Sequence, residues 1–144
     1  MTNPLMAPIE IGRPLRNLRE IRDLVRSLGI GEPAPEGFDV ILARSAAPLD
    51  WSDPALAPRM SPLILPARRF TLLRTGQGGI AIALEEPALH ARHRQICAAG
   101  YIHDAPAYQP HMLLGQVPFD DDLPEQVSLT RPLVFGAEFR RQPG

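Results

Sequence analysis

One order of local signals occurs twice in this sequence, and it constrains the fold more than any other feature. In each copy a helical pattern ends at a glycine, Gly29 or Gly100, and an Ala-Pro pair and an apolar strand follow, with Asp39 and His111 at matching places. A glycine after the last helical turn and a proline beyond it are typical of a helix that gives way to an extended segment. The repeat predicts a duplicated helix-loop-strand unit, whose two strands can lie side by side with Asp39 facing His111.

The hydrophobic periodicity predicts an α+β fold. Apolar residues recur at helical spacing from Leu18 to Leu28, Asn17 and Glu20 have the spacing of a capping box, and Pro87 is placed to open a second helix. Strands are expected at residues 38–43, 69–74, 79–85, around His111 and at 133–139, with a long proline-rich connection over 48–66. This order of elements indicates a mostly antiparallel sheet with the helices packed outside it.

The length of the chain indicates one domain. At 144 residues it can bury roughly 70% of its unfolded surface, so no disulfide is needed. The single cysteine, Cys97, is expected to be a small buried hydrophobe. Residues 15–144 are assigned to the domain, whereas the proline-rich residues 1–14 are expected to form an extended arm, either flexible or held by a partner.

Several classes of function are excluded by what the sequence lacks. All fifteen basic residues are arginine, which excludes lysine Schiff bases and P-loops and suits bidentate phosphate contacts. We find no glycine-rich phosphate loop and no basic surface interleaved with aromatic residues, so duplex nucleic acid is not an expected partner. His90 and His93 share a helix face but have no further ligand at matching spacing, so neither a metal nor another cofactor is expected.

The expected location rests on two further absences. No apolar run approaches the roughly 20 residues of a membrane span, and the N-terminal residues lack the charged and apolar regions of a signal peptide. We therefore expect no membrane partner, and a soluble protein in the host cytoplasm or within a particle.

Two phrases of the sequence carry a resemblance to a known family. The first is Ala43-Arg-Ser-Ala-Ala-Pro-Leu-Asp-Trp51, and the second runs from Leu89-His-Ala-Arg-His-Arg to Tyr108-Gln-Pro-His111. Together with the repeat, they resemble the 2H phosphoesterases, which have an RNA-ligase-like fold, and in particular the phage branch that includes anti-CBASS cyclic-oligonucleotide hydrolases and portal-associated domains. The resemblance extends over residues 15–139 and implies a fold of two related lobes.

In that family each repeat carries a His-x-Thr motif on its central strand. One histidine is the base toward the attacking oxygen, the other is the acid toward the leaving oxygen, and the hydroxyls bind phosphate oxygens; such proton transfers are worth about 10²–10⁴ in rate. Here the motifs fall on Asp39-Val40-Ile41 and His111-Met112-Leu113, so Ile41 and Leu113 replace the hydroxyls. Each lost contact costs on the order of 1–3 kcal/mol, and the Asp39 carboxylate repels an anion. The resemblance therefore implies hydrolysis that is absent or severely weakened.

The roles of the remaining site candidates stay open between two interpretations. Asp39 and His111 could form an acid/base dyad, or a structural ion pair that closes a disused groove, and we favour the ion pair. Arg92 and Arg94 flank His93 and could contact an anion at the groove edge, although a solvated helix face is the default.

Three hypotheses on function follow. The first, which we favour, is a non-catalytic interaction module of phage or prophage origin, such as a head, portal or neck component whose partner is a particle subunit or a second copy of the chain. The second is a phosphodiesterase that hydrolyses cyclic oligonucleotides or 2′,3′-cyclic phosphates for immune evasion, with His111 as acid/base. The third is a sponge that binds a cyclic oligonucleotide without cutting it.

Overall fold

The structure, a computed structural model, describes residues 9–34, 37–45, 52–100, 107–117 and 122–141. Its helices are α1 (Leu18–Ser27) and α2 (Pro87–Ala98). Its strands are β1 (Ile9–Pro14), β2 (Glu32–Pro33), β3 (Asp39–Ser45), β4 (Leu63–Leu65), β5 (Arg69–Arg74), β6 (Gly79–Ala83), β7 (His111–Gln116), β8 (Gln126–Ser128), β9 (Leu133–Phe135) and β10 (Phe139–Arg141). Residues 1–8 of the predicted arm, Trp51 and the second Ala-Pro pair lie outside the described residues.

An antiparallel sheet forms the centre of the fold. Within the described ranges, its strands follow the order β10-β1-β3-β7-β6-β5-β8, and β2 pairs with β7 beside this path. The strands of the two predicted units, β3 and β7, are neighbours at the middle of the sheet. A separate two-stranded sheet pairs β4 with β9. The α+β architecture with a mostly antiparallel sheet is confirmed.

Each helix buries one stripe of side chains against the sheet. In α1 the buried residues are Ile21 and Val25, and in α2 Leu89 and Ile96 lie on either side of a buried Arg92. The first helix packs against β7 and the second against β3, so each covers the strand of the other unit. Fully burying such an apolar side chain contributes about 1.5–3 kcal/mol, so docking on the sheet stabilises these short helices more than intrinsic propensity does. Neither of these two described helices has the length and apolarity that crossing a membrane requires.

The two central strands turn one face toward the core. Val40 and Leu42 of β3, together with Met112 and Leu114 of β7, are fully buried. Val40 and Met112 are also register partners across the β3/β7 pair. Because side chains alternate along a strand, the residues on either side of these two partners point to the opposite face of the sheet.

The predicted arm is wrong over residues 9–14, which form β1 inside the sheet between β10 and β3. Apolar alternation does not predict this strand, because two of its buried residues, Glu10 and Arg13, are charged. Its Gly12 is required by close packing, since a Cβ there would lie 2.6 Å from the Val40 carbonyl oxygen and 2.9 Å from the Phe139 ring. Residue 14 is therefore the end of a strand, and residues 9–14 belong to the same sheet as the predicted domain.

The predicted capping box at the start of α1 is also wrong. The Asn17 side chain makes no cap hydrogen bond; its Oδ1 accepts from the Val134 backbone N–H at 2.9 Å, and its Nδ2 donates to the Pro132 carbonyl. The Glu20 carboxylate accepts from the backbone N–H groups of Thr130 and Arg131. Both side chains thus fix a distant segment to α1 instead of capping the helix.

Two other segments differ from the sequence-based expectation. The strand expected over residues 133–139 is divided into β9 and β10, which belong to different sheets. The expected connection over 48–66 contains, in its described part, β4 and a short 3-10 turn at Pro54–Leu56 whose Leu56 is buried. Apolar residues in short, separated pieces are not distinguished by pattern alone from a loop or from one longer strand.

A buried ion cluster of Arg13, Arg92 and Glu138, here called the sealed network, fixes that connection to the sheet. The Glu138 carboxylate, with 1% of its side chain exposed, accepts from Arg92 Nε and Nη2 at 2.8 and 2.9 Å, and Arg13 Nη2 lies 3.9 Å from it. Burial lowers the pKa of Arg13, and the charge of Arg92 acts in the same direction while Glu138 opposes it. The two arginines also donate to the carbonyls of Ala55, Ala57, Ser61 and Gly136.

Candidate functional site

The four positions predicted from the repeat converge in one groove. Val40 and Met112 are register partners, and continuing that antiparallel register places Ile41 opposite His111 and Asp39 opposite Leu113. These four side chains lie on the sheet face opposite the buried core residues and line a cavity of about 280 Å³. The cavity, called the groove from here on, is formed by the two strands of the predicted repeat.

Asp39 binds an arginine at the rim of the groove and not the histidine across from it. Its Oδ2 accepts a hydrogen bond from Arg141 Nη1 at 2.8 Å, and its side chain is only 11% exposed. Within the described ranges, neither a hydrogen bond nor an ion pair joins Asp39 to His111. The ion pair that we favoured from the sequence therefore has the wrong partner, and the structure contains no Asp39–His111 dyad.

A chain of four charges, here called the groove network, runs along the rim. Glu10 of β1 has Arg44 of β3 as its register partner on one side and Arg141 of β10 on the other. The Glu10 carboxylate lies 3.3 Å from Arg44 Nη2 and 3.9 Å from Arg141 Nη2, and Arg141 continues to Asp39. Two cations and two carboxylates leave the network with no formal net charge. Because 45% of the Arg44 side chain and 31% of the Arg141 side chain are exposed, both cations can be reached from solvent.

His111 keeps the groove's basic atom available. Its Nδ1 lies 2.8 Å from the Gln109 carbonyl oxygen, which only accepts hydrogen bonds, so the neutral ring carries its proton on Nδ1. The lone pair of the neutral ring is then on Nε2, for which the described part of the chain supplies no partner. The ring is exposed at the groove. His111 can accept a proton, or donate one once protonated, to a molecule bound there.

The floor of the groove is apolar between these polar groups. Ile41 is half-buried, and Leu113, at 38% exposure, is among the most exposed large apolar residues of the described chain. None of the described lining residues carries a hydroxyl. A phosphate in this groove would contact guanidinium and imidazole groups, and the apolar floor would suit a sugar or base.

Two aromatic rings hold β3 in place where its pairing with β7 ends. The Tyr108 hydroxyl donates to the Ile41 carbonyl at 2.9 Å, and His93 Nδ1 donates to the Leu42 carbonyl at 2.6 Å. The rings are stacked, with centroids 4.0 Å apart and planes 7° from parallel. Burial, and secondarily the charge of Glu85, raises the pKa of Tyr108. His93 therefore packs against the sheet.

The other predicted candidates lie outside the groove. The guanidinium of Arg92 is bound within the sealed network, so both the anion contact and the solvated helix face predicted for it are wrong. Arg94 is exposed on α2 and is not part of the described groove lining. His90 Nε2 lies 3.2 Å from Glu85 Oε2, and no three His, Cys, Asp or Glu residues of the described chain are grouped to hold a metal ion. Cys97 is half-buried, and burial raises the pKa of its thiol.

Sequence reasoning missed three charged residues of the groove: Glu10, Arg44 and Arg141. Glu10 lies in the segment interpreted as an arm, and Arg141 lies beyond the expected end of the final strand. The direction of the Arg44 side chain depends on a β-bulge. Ile11 pairs with Ala43 and Gly12 pairs with Ile41, so Leu42 is an extra residue in β3. A bulge reverses the alternation of side chains and turns Arg44 to the groove face. No signal in the printed sequence marks that bulge.

The fold and the site together define an α+β protein with a charged groove over its two central strands. The family model described as "Anti-CBASS protein Acb1" matches residues 11–142, so the chain belongs to this family. Membership confirms the anti-CBASS phage part of the resemblance and indicates a function in phage immune evasion. A search of the curated proteins found no match.

Proposed function

We propose that this protein counteracts a CBASS defence by binding a cyclic oligonucleotide in the groove and withholding it, with little or no hydrolysis. The family supports the immune-evasion part of the proposal. The observation that carries the rest is the content of the groove: one imidazole with an available Nε2, two solvent-accessible guanidiniums, and a carboxylate where the second acid/base group would be needed.

The groove has donors for a phosphodiester. Within the described ranges, Arg44 makes one ion-pair contact, at 3.3 Å to Glu10, and its remaining N–H groups can donate to a phosphate oxygen. A phosphodiester carries one negative charge, and guanidinium donors in a fixed fork match its oxygens. His111 adds a third donor when its ring is protonated. These contacts favour capture of an anionic ligand even though the groove network is neutral before the ligand arrives.

The same residues are poorly arranged for hydrolysis. Displacement at phosphorus needs a base toward the attacking oxygen and an acid toward the leaving oxygen. His111 can serve one end, but the Asp39 carboxylate accepts a hydrogen bond from Arg141 and has no proton to give to the other. Losing one of the two proton transfers lowers the rate by about 10²–10⁴. Capture is therefore the better-supported activity, and slow hydrolysis by His111 alone is the second candidate.

We further propose that the chain is a 2H-phosphoesterase-like protein with a duplicated unit. The support is that two helix-strand units place their strands next to each other, with matching positions 39 and 111 on one face. Each helix also packs on the strand of the other unit. Among the described residues, no feature supports the role that we favoured from the sequence, an interaction module such as a head, portal or neck component.

A panel of cyclic di- and trinucleotides tests the function. We expect at least one ligand to raise the melting temperature, since a ligand at 100 times its Kd stabilises a folded protein by about 2.7 kcal/mol. Chromatography of the same mixtures should show intact ligand. His111→Ala should weaken binding about 10-fold, and His90→Ala, which changes a histidine outside the groove, should leave it unchanged.

The other outcomes are equally decisive. Cleavage of the ligand that His111→Ala abolishes would replace capture with hydrolysis. If no ligand of the panel stabilises the protein and none is cleaved, action on a cyclic oligonucleotide is refuted. The interaction-module hypothesis then remains.

A further inference from the structure

A second cavity adjoins the groove. It has a volume of about 520 Å³ and is lined by α1 and by described residues within the ranges 30–34 and 37–38. Ala34 and Gly37 line both this cavity and the groove, so the two cavities adjoin at these residues. We call it the α1 cavity.

The small size of the groove makes this neighbouring cavity important. Small-molecule sites have volumes of roughly 300–1,000 Å³ and enclose most of the ligand. The groove, at about 280 Å³, falls below that range, whereas the α1 cavity, at about 520 Å³, lies within it. A cyclic oligonucleotide contains at least two bases, two riboses and two phosphates, so a ligand held by a phosphate in the groove must extend beyond it. The α1 cavity has the required size and shares Ala34 and Gly37 with the groove.

The walls of the α1 cavity are apolar and its rim is cationic. Leu18, Val25, Ile30 and Phe38 contribute apolar surface. Arg22 and Arg26 of α1 also line it; Arg26 makes an exposed 3.9 Å contact with Asp23, and Arg22 has no ion pair within the described ranges. Apolar surface suits the face of a nucleobase, and a guanidinium can stack on a base or bind the neighbouring phosphate. Arg22 distinguishes the cavity from the groove, where each cation already faces a carboxylate.

We propose that the α1 cavity is a nucleobase subsite, which receives one base of the cyclic oligonucleotide whose phosphate lies in the groove. The inference rests on the proposed function for the identity of the ligand. Arg22 is the specific cationic residue of the subsite, and the apolar wall provides the surface on which the base packs. A ligand that spans the groove and this subsite uses the polar groups of one cavity and the apolar wall of the other.

A charge-reversal pair on α1 tests the subsite in the full chain. Arg22→Glu should weaken binding of the cyclic dinucleotide that stabilises the wild type by about 10-fold. Arg19→Glu makes the same charge change on the same helix, but Arg19 lines neither the groove nor the α1 cavity, so its effect should stay within about 2-fold. Equal losses in the two variants would indicate only the general field of the protein and would overturn the subsite.

A steric pair provides a second test that does not depend on charge. A Cβ at Gly31, which lines the cavity, meets no atom within 4 Å, so Gly31→Trp adds a large side chain there without a clash at its base. Gly76→Trp, at an equally open position in the turn before β6, is the matched control. We expect weaker dinucleotide binding for Gly31→Trp alone, with both variants retaining the wild-type circular dichroism spectrum. Unchanged binding by a folded Gly31→Trp would contradict the proposal.

Titration with the uncharged nucleosides adenosine, guanosine, cytidine and uridine separates this inference from the proposed function. Amide shifts at Val25, Ile30 and Phe38 with at least one nucleoside would support the subsite, even for a protein that bound no cyclic oligonucleotide and so failed the proposed function. If a cyclic oligonucleotide binds and no nucleoside shifts these amides, the function stands and the subsite is refuted.

Discussion

The sealed network and the groove network both consist of arginines and carboxylates, but they differ in their exposure to solvent. Glu138 lies between Arg13 and Arg92, and the side chains of all three are no more than 9% exposed. Glu10 lies between Arg44 and Arg141, but those arginines are 45% and 31% exposed. The first network closes the interior over the 55–61 connection, whereas the second lines an open cavity.

The difference shows how similar ion clusters take different roles. A buried cation that loses its counter-charge cannot be solvated by water instead. Breaking a contact of the sealed network therefore costs much folding free energy. An exposed cation can exchange a carboxylate for water or for a ligand phosphate at small cost. We therefore assign stability to the sealed network and ligand exchange to the groove network, and the following variants test that division.

The largest effect is expected for Glu138→Gln. The substitution keeps the shape of the side chain but leaves the guanidiniums of Arg13 and Arg92 buried without a counter-charge. We expect the free energy of unfolding, measured by urea denaturation, to fall by about 3–5 kcal/mol. Asp23→Asn, which removes the exposed partner of Arg26, is the control and should cost less than about 1 kcal/mol. A loss below about 1 kcal/mol for Glu138→Gln would remove the basis of the comparison.

A smaller effect is expected for Glu10→Gln, the matching change in the groove network. Glu10 is itself buried, so loss of its charge-assisted contacts should lower the free energy of unfolding by about 1.5–3 kcal/mol. The cost stays below that of Glu138→Gln because Arg44 and Arg141 can turn to water. Urea denaturation of both variants under one condition gives the ratio directly. A cost equal to that of Glu138→Gln would mean that the groove network is as structural as the sealed one.

Asp39→Asn should alter binding more than stability. The side chain remains able to accept from Arg141, so unfolding should become easier by only about 1 kcal/mol. Removing the carboxylate charge beside the groove should strengthen binding of a cyclic dinucleotide by about 10-fold, which calorimetric titration would measure. Weaker binding would show that Asp39 contacts the ligand instead of opposing it.

The smallest effect is expected for Tyr108→Phe, which removes an uncharged contact beside the groove. Loss of the hydrogen bond to the Ile41 carbonyl should cost about 0.5 kcal/mol near neutral pH. Because the pKa of Tyr108 is raised above its ordinary value of 10.0, the folded protein retains the phenolic proton after the unfolded chain has lost it. This contribution to stability is present below about pH 10 and declines as the pH rises above that value.

Melting curves between about pH 9 and 11 test the sign of that dependence. The decline with pH should be less steep in Tyr108→Phe than in the wild type. The measurement is made in a Cys97→Ala background, because burial also raises the pKa of that thiol and acts in the same direction. Identical slopes for the two proteins would contradict the assignment.

Local pattern was enough to predict the parts of the fold that follow a regular period. The spacing of Ile21 and Val25 marks the buried stripe of α1, and the strand expected at 69–74 has the observed bounds of β5. The repeat predicted that positions 39 and 111 share one face, and the groove contains both. Period-based inference succeeds for the stripe of α1 and for β5 because both depend on near neighbours in the chain, whereas the shared face of positions 39 and 111 was predicted from the repeat.

The missed features depend on distant partners. Glu10 and Arg92 are polar residues that are buried only because Arg44 and Glu138 arrive from other elements. Asn17 and Glu20 have the spacing of a cap, yet their oxygens accept from the 130–134 segment. Local sequence indicates which hydrogen-bond partners such a side chain could have, and the tertiary structure determines which of them it binds.

The placement of β10 beside β1 has a consequence for the order of folding. Arg141 reaches Asp39 across 102 positions of the chain, so the groove network is completed by the last described strand. Contacts between residues this far apart close slowly, since the entropy of a long loop must be lost before they form. A nascent chain can pair β3 with β7 while still lacking its rim arginine, and competence to capture a ligand should therefore appear as a late event after synthesis.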